Sequence, residues 1–506
     1  MPFAVLALPL TVLAVALPFL FAVTAPPSPN FWPLVFAWTC GLVLAVWGLV
    51  QGGRVHTPGA RARFVSQAAQ VLAWGLLLAA VVGGVVGLLQ YLGEEPLGLP
   101  WIHPSTAGQA VGNLRQRNQQ ATLMAMGVWA LMWLWVRADN QGRRWVGVAL
   151  GALLPLLALA SAATVSRTGA LQWGLMLVLL CLWHRTSARQ AIAVAVLGGV
   201  LYLLAAWALP ELLLHWKGVQ AEGLFARLAG EGRQCVSRQV LWSNMGHLID
   251  LKPWWGWGWG ELGYAHYVTL FPGERFCILL DNAHNLPLHL AVELGLPFAL
   301  LLCGSVCAAA VWARPWRESD PVRQLAWGLL ALVMAHSMVE YPLWYGPFQV
   351  VTIFALLLLL GRRTGPVIWG LACAACVVGA AGLATVSWQY RAVSQLYRPV
   401  DKRPADLRDL RAAAVPLGTL FPDQVRFAWL TTHPLTPQNA EQVHEVALAL
   451  LHFSPEPRVI ERVVDSALLL GLDEEAAFHL QRYRAAYPAE HARWLAAQAA
   501  SAATAR

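Results

Sequence analysis

Apolar positions run through this chain in long unbroken blocks, and polar positions gather between them. A helix that crosses a bilayer needs roughly 20 predominantly apolar residues. Blocks that meet or approach this length lie at residues 3–23, 31–50, 64–91, 119–136, 145–163, 169–184, 191–209, 284–312, 324–340, 346–361 and 366–387. They predict an all-α polytopic membrane protein with about 11 transmembrane helices. Two stretches break the pattern. Residues 210–283 form one long loop, rich in Trp and Gly. Residues 388–506 form a polar tail in which "NAEQVHEVALALLHF" and "DEEAAFHLQRYRAAYP" place apolar residues at helical spacing. Pro and Gly punctuate the gaps, as in "FSPEP" and "LLGLDEE". The tail predicts stacked helical hairpins of the tetratricopeptide kind without a clean repeat, and a generic helical cap is the simpler reading. The expected division is 1–209 (helices 1–7), 210–283 (large loop), 284–387 (helices 8–11) and 388–506 (C-terminal helical domain).

Charge orients these blocks. Only 12% of the 506 residues are charged, against about 25% in soluble domains, and the mean hydropathy is +0.53. The net charge of +8 does not call for nucleic acid. The loops "GGRVHTPGARAR", "RADNQGRR", "HRTSAR", "ARPWRESDPVR" and "GRRTG" carry several arginines each. They follow blocks two, four, six, eight and ten, so all fall on one side, the cytoplasm. An odd number of crossings then sends the tail to the opposite side, with the long loop. Residues 3–23 lack a clear small-residue cleavage site, so no cleavable signal peptide is expected.

Cys40, Cys181, Cys303, Cys307, Cys373 and Cys376 sit in apolar blocks and read as small packing residues. Cys235 and Cys277 share the long loop and are a disulfide candidate if it faces an oxidising compartment. No Cys/His spacing suggests a zinc site.

The chemistry-bearing residues gather in five stretches on the expected non-cytoplasmic face: "GNLRQRNQQAT" (112–122), "SRTG" (166–169), "CVSRQVLWSNM" (235–245), "DNAHN" (281–285) and "HSMVEYPLWYG" (336–346). They are expected to line one outward cavity. Ionisable groups at a membrane are costly and seldom idle. Arg167 alone reads as a snorkelling side chain. Beside Arg115, Arg117 and Arg238 it points to an anionic ligand, since guanidinium pairs bidentately with phosphate. In "NLP", Asn285 is a candidate helix N-cap and Pro287 suits a first turn. His284 would then stand just before a helix N-terminus, which disfavours imidazolium and favours a nearby phosphate. A neutral imidazole can take a proton. Asn285, His289 and Glu293 share a helical stripe, and His289 and Glu293 read as helix-packing polar residues. Asp281 is the better neighbour for orienting His284. "KPWWGWGWGE" (252–261) lacks the βαβ setting of a dinucleotide fingerprint. It reads as a tight turn with Trp rings at headgroup depth.

Taken together, "SRTG", "SRQVLW", "PWWGWGWGE" and "HNLPLHLAVELG" resemble the O-antigen ligase and polymerase superfamily of bacterial inner membranes. "LRQRNQQAT" and "HSMVEYPLWYGPF" resemble its branch of protein O-oligosaccharyltransferases, PglL-type and pilin-glycosylating. The resemblance covers about residues 110–350, and more loosely the tail. It implies transfer of a whole glycan from undecaprenyl pyrophosphate to an acceptor on the periplasmic face of the inner membrane, the acceptor being a Ser or Thr hydroxyl of a pilin-like protein. It implies that Arg167 and Arg238 hold the pyrophosphate and that His284 is the essential histidine. Gln116, with Asn118 nearby, and Tyr341 match polar positions of the protein-directed branch. Arg117 and Asp281 complete the candidate substrate-binding set. Pyrophosphate leaves with its own charge and needs electrostatic stabilisation more than a proton donor. No acidic pair stands like the metal motif of many glycosyltransferases, so a metal-independent enzyme without cofactor is expected. Within the superfamily the alternatives are a lipid A core ligase and a glycan polymerase. Outside it, a transporter for a lipid-linked anion would suit outward arginines, but it should show paired half-sites or inverted repeats, and no internal symmetry is found.

Overall fold

The computed structural model describes residues 2–53, 57–183, 189–228, 230, 234–361, 366–411 and 419–504. Their α-helices are, in chain order, α1 (Pro2–Leu20), α2 (Phe31–Gly52), α3 (Pro58–Tyr91), α4 (Arg117–Asn140), α5 (Arg144–Ala163), α6 (Arg167–Leu182), α7 (Arg189–Lys217), α8 (Leu224–Leu228), α9 (Arg238–Leu251), α10 (Leu262–Val268), α11 (Leu286–Ala313), α12 (Pro321–Ser337), α13 (Gly346–Leu360), α14 (Pro366–Gln395), α15 (Pro422–Thr432), α16 (Ala440–Phe453), α17 (Pro457–Leu469), α18 (Asp473–Ala486) and α19 (Pro488–Thr504). No strand occurs among the described residues. Each apolar block of the sequence coincides with one of α1–α7 or α11–α14. Among the described residues, seven helices are long and apolar enough to cross a membrane, and Leu8–Leu20, α6 and α13 are shorter apolar helices. The protein is an all-helical, multi-pass membrane protein.

The chain forms two compact units. The first comprises Met1–Glu231 and Ala310–Thr385. Its centre is built by α3 and α4, the most enclosed of the long apolar helices. Small residues let them lie close: a Cβ on Gly83 would stand 3.1 Å from Leu123, and one on Gly84 3.1 Å from Ala160 of α5. Such small-residue contacts drive helix association where lipid offers no hydrophobic gain. Leu72, Leu76, Leu123, Met124, Met126 and Leu131 are fully enclosed in this core. Helix α7 continues to Lys217, where its ammonium pairs with Glu94, so the long loop opens later than the apolar pattern suggests.

The second unit comprises Gly232–Ala309 and Val386–Arg506. One cluster packs α9 and α10 against the start of α11 through Leu241, Met245, Leu248, Leu262 and Leu290. Another packs Tyr267 of α10 against the C-terminal helices through Val443, Leu450, Ile460, Val464 and Tyr483. The tail therefore braces the long loop. Tyr267 and His479 are hydrogen-bonded at 3.0 Å, His452 meets Glu261 at 2.7 Å, and the Arg482 guanidinium donates to the Val268 carbonyl at 2.7 Å. Burial lowers His479 to about 4, so it is neutral at pH 7.

The eighth apolar block departs from expectation. Helix α11 is not one rod: Gly295 has φ 82° and ψ 163° and separates a helix over 286–294 from one over 296–313. The "PWWGWG" turn is bonded to this break. Trp257 and Gly258 donate backbone N–H groups to the carbonyls of Val292 and Glu293, both at 2.9 Å, and Leu296 donates to Pro253 at 2.8 Å. The turn thus satisfies carbonyls that a helix end leaves open. A side chain on Gly256 or Gly295 would collide with the opposite backbone.

Candidate functional site

The candidate residues fall in both units. In the first unit, Gln116 caps α4, its side chain accepting the Gln119 N–H at 2.7 Å. Ser166 caps α6 by accepting the Gly169 N–H at 3.2 Å. Arg117 and Arg167 are therefore the first residues of two capped helices. Arg167 is exposed and Arg117 half-buried. The two guanidiniums repel one another, and Glu222 is the carboxylate that acts on Arg117. A cation in the first turn opposes the helix dipole, a cost of about 0.3–1 kcal/mol at each N-terminus. Two such cations side by side make a place that an anion would stabilise.

Asn118 joins the two helix starts. Its side-chain oxygen accepts the Ser166 hydroxyl at 2.6 Å, and its amide nitrogen donates to Glu340 at 2.9 Å. Glu340 follows α12 and precedes Tyr341, which is half-buried. One turn deeper, the Thr122 hydroxyl lies 2.8 Å from both the Gln172 amide nitrogen and the His336 ring. Arg115 is engaged elsewhere: its guanidinium donates to the Pro29 carbonyl at 2.7 Å and to Asn30. It holds a loop, and burial lowers its pKa.

In the second unit, Ser237 caps α9 by accepting the Val240 N–H at 3.2 Å, and Arg238 is again the first helical residue. One turn on, Trp242 donates its indole N–H to the Ala283 carbonyl at 3.3 Å, beside His284. The Asn285 side chain accepts the Leu288 N–H at 3.0 Å, so it caps α11 as the sequence suggests, with Pro287 in the first turn. His284 stands one residue before that cap, half-buried. Its backbone N–H donates to Asn282 at 2.7 Å, while Asp281 is exposed. Farther along α11, His289 and Glu293 pair at 3.5 Å in the interior. Glu293 also accepts the backbone N–H groups of Gly260 and Leu262, which fixes the Trp-rich turn.

The loop that carries Arg238 and His284 is cross-linked. Cys235 and Cys277 are disulfide-bonded with Cα atoms 5.5 Å apart. Asn244 is buried, donates to the Glu274 carbonyl at 2.9 Å and accepts the Phe276 N–H at 2.9 Å. Arg275 donates to the carbonyls of His266 at 2.6 Å and Thr269 at 2.9 Å. Burial, reinforced by the Arg275 charge, lowers His266 to about 3 and keeps it neutral.

Backbone strain marks the same stretches. Four non-glycine residues among those described have positive φ. Three of them are Arg115 (63°), Val165 (50°) and His284 (50°), each within a candidate motif or directly before one. For a β-branched valine this conformation is a true outlier. Such strain persists only where surrounding structure enforces it, and it concentrates at functional sites.

The sequence reading missed Asn282, Glu340 and the two serine caps. The caps had a signal, since both "SRTG" and "SRQV" begin with Ser before a helix. Asn282 bonds locally, to the His284 N–H two residues on, whereas Glu340 had no signal because its partner is fixed by the tertiary fold.

Three family models match the chain in order. A model described as "Protein glycosylation ligase" matches residues 110–135. One described as "O-Antigen ligase" matches residues 152–303. One described as "Virulence factor membrane-bound polymerase, C-terminal" matches residues 324–502. A General O-oligosaccharyltransferase of Acinetobacter baylyi is 22% identical over 394 residues, covering 73% of this chain. The chain spans 65% of that relative's length. No solved structure matches the chain. The resemblance read from the sequence, to PglL-type oligosaccharyltransferases in the O-antigen ligase superfamily, is borne out by these matches.

Proposed function

We propose that this chain is a glycosyltransferase that moves a preassembled glycan from a lipid pyrophosphate to a hydroxyl of an acceptor protein. The observation that carries this reading is the set of arginines standing first in capped helices, Arg117, Arg167 and Arg238. A helix start favours an anion, and arginine placed there adds a charge-assisted donor for it. The lipid is undecaprenyl pyrophosphate, the acceptor group is Ser or Thr of a pilin-like protein, and the reaction takes place at the periplasmic face of the inner membrane.

The chemistry follows from these groups. The C–O bond between the anomeric carbon and pyrophosphate breaks, and the electron pair leaves with the pyrophosphate. Arginine side chains stabilise that growing charge through preorganised, charge-assisted hydrogen bonds. The acceptor hydroxyl attacks the anomeric carbon and inverts it, while His284 takes the hydroxyl proton. Gln116 and Tyr341 contact the glycan or the acceptor. The arginines supply the positive charge that a divalent cation brings elsewhere, so transfer is expected to persist in EDTA.

The test is a reconstituted assay. The purified protein receives an undecaprenyl-pyrophosphate glycan together with a pilin-like protein and a lipid A core. Glycan on the protein by intact mass, reduced at least about 100-fold in His284→Ala, supports the proposal. Glycan on the lipid instead assigns a lipid A core ligase. A His284→Ala protein with full activity removes the base assignment.

A further inference from the structure

Glu340 is a carboxylate only 2% exposed in the interior of the first unit. No role in the transfer has been given to it. Its side-chain oxygen accepts the Asn118 amide N–H at 2.9 Å. That amide's oxygen accepts the Ser166 hydroxyl at 2.6 Å, and the Ser166 oxygen accepts the Gly169 N–H at 3.2 Å. Three groups far apart in sequence thus form one chain of hydrogen bonds with a single polarity. A carboxylate can only accept, whereas an amide can turn either end to a neighbour. Glu340 therefore decides which way Asn118 points, and Asn118 decides where the Ser166 hydroxyl proton goes.

The consequence lies one residue away on each helix. Asn118 follows Arg117, and Ser166 precedes Arg167. Val165, immediately before the serine, is held at φ 50°, a strained conformation that neighbours must enforce. The Arg227 guanidinium holds the Val165 carbonyl at 2.7 Å from the other side. We propose that Glu340 is a positioning residue that sets the arginine-bearing starts of α4 and α6 through Asn118 and Ser166. Asn118 then serves within this link, with both ends of its amide engaged, rather than as a direct contact of the glycan. This inference rests on the transferase reading for its activity test.

The discriminating experiment reverses the polarity of one bond. In Asn118→Asp two carboxylates face each other. In Asn118→Asp combined with Glu340→Gln, the glutamine amide donates to the aspartate, whose other oxygen still accepts from Ser166. Transfer in Asn118→Asp and in Glu340→Ala is expected to fall about tenfold to hundredfold, as for misplaced catalytic groups. The fall should appear in kcat and in affinity for undecaprenyl pyrophosphate. The double variant is expected to regain at least about tenfold over Asn118→Asp, the signature of direct coupling. A direct contact between Asn118 and substrate would not be rescued, and a double variant no better than Asn118→Asp overturns the proposal. So does a Glu340→Ala protein with wild-type transfer and lipid affinity. Should Glu340→Ala not fold, as judged by thermal melting, the polarity-reversed pair decides alone. If the wild type transfers to no acceptor, the transferase reading fails separately. Binding of undecaprenyl pyrophosphate across the same variants then decides the positioning role by the same rescue criterion.

Discussion

The two units hold their candidate residues by different means. In the first, side chains do the holding: Glu340, Asn118 and Ser166 link helix starts that bear Arg117 and Arg167. In the second, the joint behind His284 is made chiefly by main-chain bonds around a glycine. His284 leads a short helix whose far end is bonded to the Trp-rich turn through main-chain groups of residues 253–258 and 292–296. The loop is further closed by Cys235–Cys277. A side-chain link can be retuned by one substitution and rescued by another. A backbone joint has no such tolerance, because glycine is required by conformation and by space.

The largest effect that would test this contrast is Gly295→Ala. Its φ/ψ is nearly exclusive to glycine, and an added Cβ would meet the Trp254 carbonyl. A loss of about 3 kcal/mol or more is expected, read as early proteolysis of the 253–295 region and no recovery by second-site polar changes. Next is removal of the disulfide. Cys235→Ser or Cys277→Ser should cost about 2–4 kcal/mol in the second unit, and reducing agent should lower the melting temperature of the wild type alone. Third are the caps. Ser237→Ala should cost about 1 kcal/mol. Ser166→Ala should cost about 1 kcal/mol more than that, since it also loses the bond to Asn118. Equal costs by denaturation would erase the distinction between the units.

The smallest effect near neutrality is acid sensitivity of α10 and the tail. His266 and His479 are lowered by burial from 6.5 to about 3 and about 4. Unfolded, each binds a proton below about 6.5, which the folded protein refuses until much lower pH. Their contribution is therefore complete above pH 6.5 and is lost as the pH falls towards 4. Hydrogen exchange at α10 and α18 should rise over that window, and His479→Gln should flatten the response.

Much of this was legible in the sequence, for identifiable reasons. Long apolar blocks report themselves, because a helix in lipid must be apolar along its whole length. The cap at Asn285 was legible because its signal spans a few residues. The break at Gly295 was passed over because "AVELGLPFALLL" lies inside one long apolar block; its local signal is Gly295 followed by Pro297, which has no N–H to give the Glu293 carbonyl, and the 253–258 turn takes up the freed carbonyls. Arg115 looked like a ligand for an anion and instead holds residues 29 and 30. Composition identifies a guanidinium, but only the fold shows what it is already bonded to. Glu340 was quoted within a motif yet had no assignable role, since its partner lies 222 positions away.

The break at Gly295 also changes a length. At 1.5 Å per residue, the helix over 296–313 is about 27 Å long. A hydrocarbon core is about 30 Å thick. That segment is by itself nearly a full crossing, so residues 286–294 are not needed to traverse lipid. The polar cluster from Asp281 to Glu293 therefore does not interrupt a membrane helix. Asp281 to Asn285 precede the short helix over 286–294, and His289 and Glu293 lie within it, all on the near side of the glycine.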